Sequence, residues 1–102
     1  MSFKVEEGKA VSLTDVKFSK ESPQAVGTTV KITATGKSAA DNVLYYKVSV
    51  HEGVNGWKTI KNYSSKNYVN WKTTTKGKAY IMVEVMDSAG DYDYQIIPYT
   101  VK

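Results

Sequence analysis

Apolar and polar side chains alternate with a period of two along most of the chain. Val30, Ile32 and Ala34 are interleaved with Thr29, Lys31, Thr33 and Thr35. Leu44, Tyr46, Val48 and Val50 share one parity, and Tyr45, Lys47 and Ser49 the other. Ala79, Ile81, Val83 and Val85 form a third set, and Ile97, Tyr99 and Val101 a fourth. Successive side chains of a strand point to opposite faces, so each run predicts a strand with one buried face. Pro98 has no N–H for a ladder, which places the last strand at a sheet edge or at a bulge.

Weaker runs fill the gaps. Val11 and Leu13 share one parity, Val16 and Phe18 the other. The change of phase at Thr14 and Asp15 predicts a bulge, or a strand that passes from one sheet to the other. Val69 and Trp71 mark a short strand, and 57–61 another. Turn signals stand at Ser22-Pro23 with Gly27, at Gly36-Lys37-Ser38, at Gly53 with Asn55-Gly56, at Lys76-Gly77 and at Asp87-Ser88-Ala89-Gly90. No stretch repeats apolar residues at helical spacing over ten residues. About seven short strands at near-regular spacing predict an all-β fold, an immunoglobulin/fibronectin-like antiparallel β-sandwich. The domain is expected over 11–102, with 1–10 as a linker.

Composition agrees. The 102 residues include 13 Val, 10 Thr and 8 Tyr against 2 Leu, and β-branched and aromatic side chains suit a pleated surface better than a helix. The absence of cysteine excludes disulfides and thiolate metal sites. The longest apolar run, Ala79–Val83, is too short to cross a membrane as a helix, so no membrane insertion is expected. All 14 basic residues are lysine. Without arginine there is no planar fork for guanine or phosphate, and no nucleic-acid partner is expected. Met1 is followed by Ser-Phe-Lys-Val, without a basic n-region or an apolar h-region; of a cytoplasmic protein and one module taken from a longer secreted chain, the second is the expectation.

Four segments carry a resemblance: SPQAVGTTVKITATG, LYYKVSVHEGVNGWKTIKNYSS, NWKTTTKGKAYIMVEVMDSAG and IPYTVK. Together, over roughly 12–102, they resemble the triple-tyrosine bacterial Ig-like modules of secreted and cell-wall-associated proteins of low-GC Gram-positive bacteria and of periplasmic sensor regions. Such modules usually place an aromatic residue two positions after the glycine that opens the penultimate strand. Here that position is Ala79, with Tyr80 beside it on the opposite parity. The resemblance implies an extracellular setting and a non-catalytic role, and it implies no particular ligand.

Candidate chemistry is sparse. His51 is the single histidine, on the outward parity of its strand, and no Gly-x-Ser-x-Gly elbow accompanies it. We expect no catalytic site and no cofactor. Asp87, Asp91 and Asp93 bracket the last turn, where clustered oxygens would suit calcium. Their spacing is not that of a calcium-binding loop, and Asp-Gly turns form without metal, so no metal site is assigned.

Two surfaces remain. Residues 53–83 carry six lysines and no acid, interleaved with Trp57, Tyr63, Tyr68, Trp71 and Tyr80. Lys58, Lys61, Tyr63, Lys66 and Tyr68 are candidate contacts for a cell-wall glycan or anionic polymer. Trp57 and Trp71 serve equally well as core. If Ile81, Val83 and Val85 face inward, then Tyr45, Tyr80, Met82, Met86 and Ile96 gather on the outer face of one sheet, as a candidate interaction face for neighbouring domains. The expected function is that of a non-catalytic extracellular accessory module that spaces or positions its neighbours, with a glycan- or polymer-binding module as the alternative.

Overall fold

The computed structural model describes residues 10–53 and 56–102. The expected linker, apart from Ala10, and Asn55 of the expected turn lie outside the described residues. Seven strands run in chain order: β1 (Val11–Phe18), β2 (Thr29–Ser38), β3 (Leu44–Glu52), β4 (Trp57–Ser64), β5 (Tyr68–Lys72), β6 (Gly77–Asp87) and β7 (Tyr92–Val101). They form two antiparallel sheets, β1-β2-β5 and β4-β3-β6-β7. The described residues include no helix. The all-β sandwich is the architecture the alternation predicts.

The core sits between the sheets. Val30, Ile32, Ile81, Val83 and Val85 are each at most 1% exposed. Burying a side chain of this size contributes about 1.5–3 kcal/mol, so the central strands β2 and β6 dominate the packing. At one end Trp71 meets Tyr99 edge-on with ring centroids 5.2 Å apart, and Phe18 stacks on Tyr99 at 5.3 Å. Ala79 lies directly opposite Tyr99 in the ladder. Both are buried, Ala79 at 1% and Tyr99 at 2% exposed. Tyr80 points out.

The phase shift in β1 is a bulge. Its register against β2 slips between Leu13 and Asp15. The extra residue is Thr14, whose hydroxyl donates to the Thr35 carbonyl at 3.0 Å. Val11 and Leu13 before the bulge, and Val16 and Phe18 after it, all pack on the core. The chain changes sheets further on, where Gln24 bridges Val101 in parallel. Pro98 lies on the edge strand β7, as its missing donor requires.

One turn signal is overruled. β2 continues through Gly36-Lys37-Ser38, pairing with Leu13, Ser12 and Val11. Gly36 is there because the space is needed: a Cβ at this position would sit 2.9 Å from Val85 Cγ2 and 3.3 Å from the Tyr46 hydroxyl. The chain reverses just after, where Asp41 takes φ 57°.

Candidate interaction face

Residues paired directly across an antiparallel ladder share a face. The registers of β4-β3-β6-β7 therefore lay out the outer face row by row. The first row is Trp57, His51, Tyr80 and Pro98. The second runs Thr59, Ser49, Met82, Ile96, and the third Lys47, Glu84, Tyr94. The fourth is Tyr45, Met86, Tyr92. Tyr45, Tyr80, Met82, Met86 and Ile96 are thus brought together on one face. Ile96 is half exposed and Tyr80 is 40% exposed, while Tyr45, Met82 and Met86 are partly covered by their neighbours.

Three further aromatics join them. Trp57, Tyr92 and Tyr94 are 48%, 63% and 52% exposed. Trp57 is a surface residue, which settles its reading against the core, whereas Trp71, at 3% exposed, is core. Tyr94 shares the parity of Ile96 and was within reach of the alternation. Trp57 was not, because its side depends on which sheet β4 joins. The imidazole of His51 is wedged between two rings, 5.4 Å from Trp57 at 72° and 6.4 Å from Tyr80 at 71°. Its Nδ1 is enclosed without a hydrogen-bond partner.

The two charges of the third row are tied together through β4. Tyr63 donates its hydroxyl to Glu84 Oε1 at 3.1 Å, and the Lys47 ammonium lies 5.6 Å from the Tyr63 ring centroid. Burial, and then the Glu84 carboxylate, push the Tyr63 hydroxyl above its usual pKa, so it stays a donor at neutral pH.

The other candidate set is divided. Tyr63 belongs to the face just described. Tyr68 is on β5 in the opposite sheet, with the Lys31 ammonium 4.6 Å over its ring on the outer side of that sheet. Lys66 lies in the connection between β4 and β5. Lys58 lines a cleft with Val50, Glu52, Gly56, Ile60 and Thr74 at the β4 edge, and Lys61 lies further along the same strand, opposite Val48. Proximity in sequence placed these five in one patch, and the sandwich separates Tyr63 from Tyr68 by its whole thickness.

The aspartates of the last turn do not converge on one point. Asp87 is buried, and its carboxylate accepts hydrogen bonds from Asn42 Nδ2 at 3.1 Å, the Ala89 N–H at 3.0 Å and the Asp91 N–H at 2.9 Å. Asp93 reaches across to β1 and accepts the Leu13 N–H at 2.8 Å. Among the described residues no group of three His, Cys, Asp or Glu is arranged to hold a metal ion.

The hydrogen bond from Asn42, aided by the Asp91 and Ala89 N–H groups and opposed by burial, holds the Asp87 carboxyl below the usual carboxylate range. A lowered native pKa contributes stability that is fully present above the ordinary value near 4 and is lost as pH falls through the native value. In Asp87→Asn the melting temperature at neutral pH is expected to drop. Its deficit relative to wild type should shrink as thermal melts are repeated from about pH 5 down to about pH 2. A deficit that stayed constant with pH would remove Asp87 from the acid limb.

Among solved structures, the chain is similar to the solution structure of the fibronectin type-III domain of human fibronectin type III domain containing protein 3. The identity is 17%, the TM-score 0.58, and the match covers 84% of this chain and 80% of that one. No family model matches the chain, and no curated protein matches it in sequence. At this identity the likeness concerns the fold alone: the chain is an Ig/fibronectin type-III-like β-sandwich module.

Proposed function

We propose that this domain is a non-catalytic accessory module that spaces and positions neighbouring domains in a longer secreted or cell-surface protein. The observation that carries this reading is the relation of β1 to β7. Leu13, near the start of β1, is held by Asp93 and Gln95 near the start of β7. Gln24, beyond the end of β1, bridges Val101 at the end of β7. The first and last strands therefore run side by side in the same direction. Chain continuing before Val11 and after Val101 leaves from opposite poles of a body 49 × 27 × 23 Å in extent. Domains joined through such poles line up end to end. The resemblance to triple-tyrosine modules supports an extracellular, cell-wall setting.

The test is small-angle scattering on two copies of the full chain fused in tandem. The expected result is a rod with a maximum dimension roughly twice the single-domain extent of 49 Å. A side-by-side pair no longer than one domain would overturn the reading.

A further inference from the structure

The first row of the outer face consists of four ring-bearing side chains, one on each strand of the sheet. Trp57 on β4 opposes His51 on β3, His51 opposes Tyr80 on β6, and Tyr80 opposes Pro98 on β7. We propose that this transverse row is a binding strip for a β-1,4-linked polysaccharide of gluco configuration, running across the strands. The proposal goes beyond the spacer reading and does not depend on it.

Spacing is the first argument. Trp57 and Tyr80 are two strands apart, or about 9.6 Å by the ordinary strand separation. The imidazole between them, at 5.4 and 6.4 Å from the two rings, is consistent with that span. A β-1,4-linked gluco chain is a flat ribbon with a two-fold screw. Every second sugar presents the same face, and the two-sugar repeat is close to the ring separation. Trp57 and Tyr80 would therefore each take one sugar of alternate position, with His51 recessed between them.

Surface chemistry is the second. With hydroxyls equatorial, the flat faces of such sugars expose axial C–H groups. These carry slight positive charge and meet the electron-rich face of an aromatic ring. Trp57 and Tyr80 are both available, at 48% and 40% exposed. Pro98 is exposed at the far end of the row and offers a further flat apolar ring.

Local charge and the width of the row bear on the occupant. Lys47 and Glu84, two rows away, are joined through Tyr63 and offset each other, whereas Lys78 shares the outward parity of Tyr80 and adds a positive charge beside the row, so the salt dependence of retention separates a neutral polymer from an anionic one. Lys78, one pleat beyond Tyr80, is exposed toward the pole. A polysaccharide ribbon needs only a strip one sugar wide.

The experiment combines retention of the full chain on microcrystalline cellulose and on chitin with calorimetric titration of cellohexaose and of chitohexaose. Retention on at least one solid is expected, with little change between about 0.1 M and about 1 M salt, over which the screening length falls from about 10 Å to about 3 Å. Trp57→Ala and Tyr80→Ala should each weaken binding by about tenfold or more, equivalent to about 1.4 kcal/mol, with unchanged thermal melts. Tyr68→Ala, on the opposite sheet, should bind as wild type does. No binding to any of the four probes would overturn the proposal. So would retention abolished by salt, which would mark a polyanion contact. A dimer that dissociates in Trp57→Ala would assign the row to self-association and overturn it too. The tandem scattering measurement does not involve this face, so either reading can fail alone.

Discussion

Trp71→Ala should lower folding stability by roughly 3–5 kcal/mol, the range for truncating a buried aromatic ring. The indole is 3% exposed and meets Tyr99 edge-on at 5.2 Å. Tyr99 in turn stacks on Phe18 and donates its hydroxyl to the Lys20 carbonyl at 2.6 Å. Removing the indole opens a cavity beside Tyr99, at the point where β5 of one sheet packs on β7 of the other. For a domain of this length, each kcal/mol lost moves the melting temperature by about 4–8 °C, so the variant should be largely unfolded well below the wild-type midpoint. Trp71→Phe should cost much less. It keeps a ring against Tyr99, and it removes an indole Nε1–H that has no hydrogen-bond partner in the core. Urea titrations of the two variants check both statements. Equal losses would show that a phenyl ring at this position recovers none of the packing against Tyr99.

Gly36→Ala should also destabilise, although alanine is ordinarily the better strand residue. The cost of overpacking is typically about 1–3 kcal/mol. The added Cβ would lie 2.9 Å from Val85 Cγ2 and 3.2 Å from Leu44 Cδ1, and Val85 is fully buried. The Gly36 N–H also donates to the Tyr46 hydroxyl at 3.2 Å, and the displaced backbone would lose that bond. The double variant Gly36→Ala/Val85→Ala should recover part of the loss, because residues in contact are not additive. Additive losses in a double-mutant cycle would mean that the clash is relieved elsewhere.

How far the sequence carries the structure differs from element to element. β3 and β6 were legible because period-two burial leaves a mark on every residue. Thr14 was legible because an extra residue inverts the parity of the residues after it. Gly36 misled: glycine before Lys37-Ser38 has the chemistry of a turn, and only the approach of Tyr46 and Val85 from the other sheet shows why it belongs inside a strand. The outer face was half legible. Tyr45, Tyr80, Met82, Met86 and Ile96 fall on it by parity alone once β3, β6 and β7 share a sheet. Trp57 and His51 needed the pairing of β4 with β3, which is a long-range fact. Lys58, Lys61, Tyr63, Lys66 and Tyr68 show the reverse case. They are neighbours in the chain, but β4 and β5 belong to different sheets, so closeness in sequence becomes distance in space.

The parallel course of β1 and β7 bears on how the domain carries tension. Force applied through Val11 and Val101 acts along both strands and slides them past each other lengthwise. The ties across that seam resist in shear and share the load, where bonds peeled from one end would break in turn. They include the Asp93 carboxylate and the Gln95 amide on the backbone of Leu13 at one end, and the Gln24 bridge to Val101 with the Ser22 hydroxyl on the Thr100 N–H at the other. The seam is fastened at both ends, by side chains on the Leu13 backbone at one and by backbone and side-chain bonds at the other.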